Sequence, residues 1–138
     1  MSIKEEEQRI IEEFSVFDDW MDKYEYLIEI GKSLPVIDES GKSEPNLING
    51  CQSRVWLAAE YKEGKIWFTA DSDAIITKGI ISLLIRVLSG RTPKEILDAD
   101  LAFIGQIGLE ENLSPTRANG LRSMIIKIRT YAASYLNN

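Results

Sequence analysis

The chain has 138 residues, 44% of them hydrophobic and 28% charged, with 16 basic and 22 acidic side chains and a net charge of −6. That length and balance predict one folded domain over residues 1–138, and an acidic chain with no basic stripe is not expected to bind nucleic acid. One cysteine and no histidine exclude a Ser-His-Asp or Cys-His catalytic apparatus, a zinc site of the Cys/His type, the several thiolates of an iron–sulfur site and any intramolecular disulfide.

The charge is uneven: residues 1–50 carry 5 basic and 13 acidic side chains, and residues 51–138 carry 11 basic and 9 acidic. The acidic half either keeps the protein dispersed or steers it toward a basic patch on a partner. The start, Met1-Ser2-Ile3-Lys4-Glu5-Glu6-Glu7, has neither the cationic end nor the apolar run of a signal peptide. With the lone cysteine, this predicts a reducing, cytoplasmic setting.

In chain order, Ile3 to Phe14 reads as a charged helix with Ile3, Ile10, Ile11 and Phe14 on its apolar side. Asp18 or Asp19 caps a second helix, in which Trp20, Met21, Tyr24, Leu27 and Ile28 recur at helical spacing up to Gly31. Residues 35–50, with two prolines and two glycines, read as a loop with a short strand near Asn46 to Ile48. Gln52 to Tyr61 and Lys65 to Ala70 form a β-hairpin through Lys62-Glu63-Gly64. Ser72 caps a helix from Asp73 to Leu88 whose apolar residues cover most of its circumference, the mark of a central buried helix. This is also the most apolar stretch, but Lys78 and Arg86 interrupt it and it is too short to span a membrane. Thr92-Pro93 opens a short helix to about Ala99. Ser114-Pro115 opens the last one, where Leu121, Met124, Ile125, Ile128, Ala132 and Tyr135 form a stripe. The fold class is α+β: a small antiparallel sheet with helices packed on one side.

Cys51 sits where the loop enters the hairpin, in Asn49-Gly50-Cys51-Gln52-Ser53-Arg54. Free cysteines are most often buried small hydrophobes, and a non-catalytic binding module with a structural Cys51 is one reading. The polar neighbours and the adjacent Gly50, which permits close approach of a partner, favour a reactive thiol. Cationic neighbours would raise its thiolate share; Arg54 is near in sequence, and Arg117 lies at a loop-to-helix start. No histidine is present to act as a general base for hydrolysis. Sulfur exchange needs only the thiolate itself, so this residue set supports thiol exchange or persulfide transfer. A lone exposed thiol also offers a route to a disulfide-linked homodimer; the oligomeric state stays open.

Gly50-Cys51-Gln52-Ser53-Arg54-Val55-Trp56-Leu57 resembles the Gly-Cys-Gln-Ser-x-Val-Trp signature of SufE-type sulfur acceptor proteins. The likeness extends to Tyr26 through Pro35, Asp71 through Gly79, Gly108-Leu109, and Leu113 through Leu121 with Met124. Lys32 and Phe103-Ile104 depart from the pattern, which leaves the SufE and CsdE subgroups both open. The resemblance implies the α+β fold of IscU-type scaffolds without their cluster ligands. It implies a sulfur carrier and desulfurase activator rather than a stand-alone enzyme. A SufS-like, pyridoxal-phosphate-dependent cysteine desulfurase would pass persulfide sulfur to Cys51, and an iron–sulfur scaffold would receive it. The pyridoxal phosphate belongs to the partner, so no cofactor or metal is expected on this chain. By the same resemblance Cys51 rests in a sheltered pocket, Gln52 and Ser53 shape its loop and Arg117 lies near the thiol. Asp73 is either a docking residue or a first-turn acid favourable to the helix dipole. Trp56 and Trp67 are expected to pack rather than to recognise.

Overall fold

The structure is a computed structural model, in which residues 1–136 are described. Among these residues the chain runs α1 (Ile3–Ser15), α2 (Trp20–Gly31), β1 (Val55–Lys62), β2 (Lys65–Ser72), α3 (Ile75–Leu88), α4 (Pro93–Asp98), α5 (Phe103–Gln106) and α6 (Pro115–Tyr135), with 3₁₀ turns at Glu39–Gly41, Glu44–Asn46 and Glu110–Asn112. The class is α+β, as the patterning predicts. The helix starts follow the chemistry of their caps. Ser2 and Glu5 form a capping box on α1, Asp19 caps α2, Thr92 and Glu95 form a second box on α4, and Ser114 caps α6.

β1 and β2 pair antiparallel from Val55↔Ser72 to Lys62↔Lys65. The turn is Glu63-Gly64, both at positive φ (54° and 79°), the primed geometry that suits a two-residue hairpin. Val55, Leu57, Ile66, Phe68 and Ala70 are buried on the inner face, where alternation places them together. Short segments cover both outer edges. Residues 35–37 pair with Ala70 of β2, and the Ile48 amide donates to the Val55 carbonyl of β1 at 2.8 Å. The strand expected near Asn46 to Ile48 is thus a single bridge, Leu47↔Trp56, because the preceding 3₁₀ turns leave no extended run.

Helix α3 fills the centre. Ten of its residues are buried, including Ile80, Ile81, Leu83, Leu84 and Val87, each fully buried aliphatic side chain contributing about 1.5–3 kcal/mol. It starts two residues later than the sequence predicts. Ser72 is still paired in β2, and its hydroxyl accepts from the Ala74 amide at 3.2 Å instead of capping the helix. At the other end the Arg86 guanidinium, half-buried, donates to Glu6 and to both carboxylate oxygens of Glu13. A buried guanidinium needs such partners, and the Arg86 bond holds the Glu13 carboxyl below its usual range.

Helix α2 crosses α3 almost backbone to backbone. A Cβ on Gly79 would stand 2.3 Å from the Leu27 carbonyl oxygen, and one on Gly31 would stand 3.0 Å from the Gly79 nitrogen. Two glycines therefore set this crossing. Gly79→Ala is expected to destabilise the fold by about 1–3 kcal/mol through overpacking, despite alanine's better helix propensity. The denaturation midpoint would measure this; an unchanged or raised midpoint would contradict the crossing.

Candidate functional site

Three elements converge on Cys51. The loop 49–54 enters β1 across the first third of α6, with the first turn of α3 alongside. Gly50 has φ +93°, and a Cβ there would fall 2.5 Å from Ser123 Oγ of α6. The backbone conformation favours glycine here, and any side chain would also displace the Ser123 hydroxyl. One residue on, Cys51 is half-buried, and its Sγ lies 3.8 Å from the Gly120 carbonyl oxygen, to which the thiol donates weakly. Gly120 leaves the flank of α6 bare: a Cβ there would lie 3.4 Å from Sγ.

Beside the sulfur is a cavity of about 60 Å³, lined by Cys51, Gln52, Ser53, Thr77, Ile80, Thr116, Arg117, Gly120 and Met124. On the same scale a water needs about 10–15 Å³. The cavity thus has room for a few water-sized groups, enough for an added sulfur atom beside Cys51. A much larger cavity, about 660 Å³, lies along the C-terminal half of α3 between Tyr26, Ile30, Pro35, Trp67 and Ile85. It lies away from the cysteine, so size does not mark the thiol's surroundings here.

Burial pushes the Cys51 thiol above its ordinary pKa, with no cation offsetting it. Arg117 does reach the cavity wall: it stands in the first turn of α6, its amide held by Ser114 Oγ at 3.2 Å. The isolated protein therefore rests with a neutral, sheltered thiol. The sheltering also makes Cys51 a poor route to a disulfide-linked dimer.

Gln52, Ser53 and Arg117 are brought to the sulfur as the sequence suggests. Arg54 and Asp73 are not. They clasp each other through the backbone, the Arg54 amide donating to Asp73 Oδ1 at 3.0 Å and the Asp73 amide to the Arg54 carbonyl at 3.2 Å. Because α3 begins at Ile75, Asp73 is no first-turn helix acid; it ties the cysteine loop to the end of β2. Trp56 is half-buried with Lys42 Nζ 5.4 Å above its ring. Trp67, expected to be packed, is 48% exposed on the outer face of the sheet. Sequence reasoning missed Thr77, Ile80, Gly120 and Ser123 as parts of the site. Gly120 had a readable signal: a glycine inside a long helix costs about 1 kcal/mol against alanine and calls for a packing reason.

The arrangement defines a small α+β domain with a single half-buried thiol beside a small cavity. The Fe-S metabolism associated domain of the SufE type matches residues 8–132. A SufE-like protein of Rhizobium meliloti is 40% identical over 133 residues, covering 93% of this chain and 95% of the relative. One from Rhizobium etli is 42% identical over 129 residues (90% and 87%), and one from Synechocystis is 38% identical over 127 (92% and 80%). Each of the three carries the word uncharacterized in its name. A hypothetical protein from Thermus thermophilus, solved in solution, superposes with a TM-score of 0.79 at 21% identity over 96% of this chain and 97% of its own, a likeness of fold alone. The chain belongs to the SufE family, and with it to iron–sulfur metabolism. Among the described residues no helix is long and apolar enough to cross a membrane.

Two measurements check this geometry. Alkylation of Cys51 by iodoacetamide should reach half its limiting rate at a pH above the ordinary thiol value of about 8.5, and return to about 8.5 when the chain is unfolded in urea. A half-rate below 8.5 in the folded protein would contradict the neutral resting thiol. Gly120→Ala should raise stability by about 0.5–1 kcal/mol through helix propensity while narrowing the cavity beside Sγ. A variant that melts lower than wild type would show that the bare flank of α6 is needed for packing, not for space at the sulfur.

Proposed function

We propose that Cys51 is a sulfur acceptor for a pyridoxal-phosphate-dependent cysteine desulfurase and hands the sulfur on to an iron–sulfur scaffold. The supporting observation is a lone, half-buried thiol beside a small cavity with room for an added sulfur. In the transfer the Cys51 thiolate attacks the outer sulfur of the desulfurase's cysteine persulfide. A bond forms between Cys51 Sγ and that sulfur, the donor's sulfur–sulfur bond breaks, and the donor cysteine leaves as its thiolate. No net oxidation occurs and no general base is required beyond whatever removes the thiol proton.

The resting thiol is neutral, so it must be deprotonated as the partner docks. Displacement of the loop 49–54 from α6 would relieve the burial that raises its pKa and bring the sulfur outward. The Arg54–Asp73 clasp at the loop's end is the contact such docking would work against, which gives Asp73 a role whether or not it touches the partner. Gln52 and Ser53 shape the loop on either side of the motion, and Arg117 supplies positive charge at the cavity wall. Returned to the cavity, the persulfide would be kept from reductants and from further oxidation. The pyridoxal phosphate stays with the desulfurase, and a reducing, cytoplasmic compartment suits a thiol that must remain free.

A raised pKa by itself also suits a merely structural cysteine, the reading in which the protein is a binding module. The two readings separate by intact-protein mass spectrometry after incubation with L-cysteine and a SufS-like desulfurase, without reductant. The acceptor reading predicts a mass gain of whole sulfur atoms on wild type and none on Cys51→Ser. No gain with a desulfurase that is active and binds the protein would establish the binding module instead.

A further inference from the structure

The first turn of α3 ends at the wall of the thiol cavity, where Thr77 and Ile80, one turn apart, both line it. No side chain caps this helix. Ser72 Oγ takes the Ala74 amide, and the Ala74 carbonyl takes the Lys78 amide at 2.9 Å. Between them the amides of Ile75, Ile76 and Thr77 have no acceptor among the described residues. Such free amides, at the positive end of a 14-residue helix, favour an anion. Thr77 supplies a second and independent sign. It is only 6% exposed, yet its hydroxyl has no hydrogen-bond partner among the described residues. The side chain is nearly enclosed and its hydroxyl keeps only slight contact with solvent, so with no protein partner its donor is left to whatever occupies the cavity.

The bare thiol does not use these donors; it turns to the Gly120 carbonyl. A sulfur one bond further out would share the cavity with them. Resting on the acceptor reading above, we propose that the Thr77 hydroxyl and the uncapped first turn of α3 bind the outer sulfur of a Cys51 persulfide as its anion. The hydroxyl donates to the sulfur, and the helix end supplies the field. Around the cavity the one charged lining residue is Arg117, from α6. The nearby charges of α3 and its approach are engaged elsewhere, Lys78 with Asp71 at 3.3 Å and Asp73 with the Arg54 amide. No carboxylate lines the cavity to oppose the anion. Cys51 would then be neutral when empty and anionic when laden.

The test loads the full chain with inorganic polysulfide, so it does not depend on any desulfurase. The Cys51 thiolate attacks a polysulfide sulfur, a new sulfur–sulfur bond forms, and the shortened polysulfide leaves as an anion. Loading is counted by mass, with Cys51→Ser as the blank, and the near-ultraviolet absorbance of the perthiolate is titrated with pH. The loaded fraction of Thr77→Val, close in shape, should titrate about one pH unit higher than that of wild type, the loss of roughly one hydrogen bond to the charged form. Thr77→Ala should repeat the shift if the valine variant folds poorly, and Thr77→Ser should titrate like wild type. Coincident titrations of wild type with Thr77→Val or Thr77→Ala would overturn the proposal. So would a serine variant that behaves like valine, or a wild type that takes no sulfur from polysulfide. Sulfur uptake from polysulfide but not from a desulfurase would leave this binding site standing and remove the acceptor role.

Discussion

Burying one helix on every side is the constraint to which the rest of this molecule answers. Because α3 has no solvent face to spare, α1, α2, the hairpin and α6 must all close around it. That closure forces glycine at 79, where α2 passes at backbone distance. It also forces carboxylates from α1 onto Arg86, since a charge that far inside must be paired. At its other end the helix emerges beside the cysteine loop. The reactive centre is thus a by-product of the packing problem: the same first turn that completes the core forms one wall of the cavity beside Cys51.

The thiol itself is set by the approach of a loop to a helix. Gly50 lets the chain reach α6, Gly120 leaves the flank bare, and the sulfur settles between them where water is scarce. Burial then does two things at once. It disfavours the thiolate, and it leaves a small cavity beside the sulfur with room for an added atom. A sulfur carrier needs both properties, inertness when it is alone and shelter when it is laden. On the proposed reading, control of reactivity would lie in displacement of the loop rather than in a neighbouring histidine, of which the chain has none.

Much of this was legible in the chain. The start signals at Asp19, Thr92 and Ser114 announce three helix starts, and the all-round apolar pattern of residues 75–88 announces the core helix. The polar setting of Cys51 after a glycine marks the thiol. What was not legible depends on distance in space. The start of α3 was misplaced because Ser72 and Asp73 are good capping residues whose polar atoms are used instead by β2, the Ala74 amide and the Arg54 backbone. The short α5 has four residues, too few for a periodic signal. Thr77 belongs to the site only because α3 and the cysteine loop, more than twenty residues apart, meet there. Trp67 defied its composition-based expectation because strand alternation turned it to the outer face.

The central claim is that Cys51 is sheltered until a partner draws its loop away from α6. The direct test is the rate of Cys51 alkylation at pH 7 in the isolated protein and in the same protein saturated with a cysteine desulfurase whose own sulfur-bearing cysteine has been replaced. A rise of about tenfold or more in the complex is predicted, since loss of about 1.4 kcal/mol of burial penalty on the thiolate has that effect. Equal or slower alkylation in a complex shown to form would contradict the account, because docking would then leave the thiol as closed as it is alone.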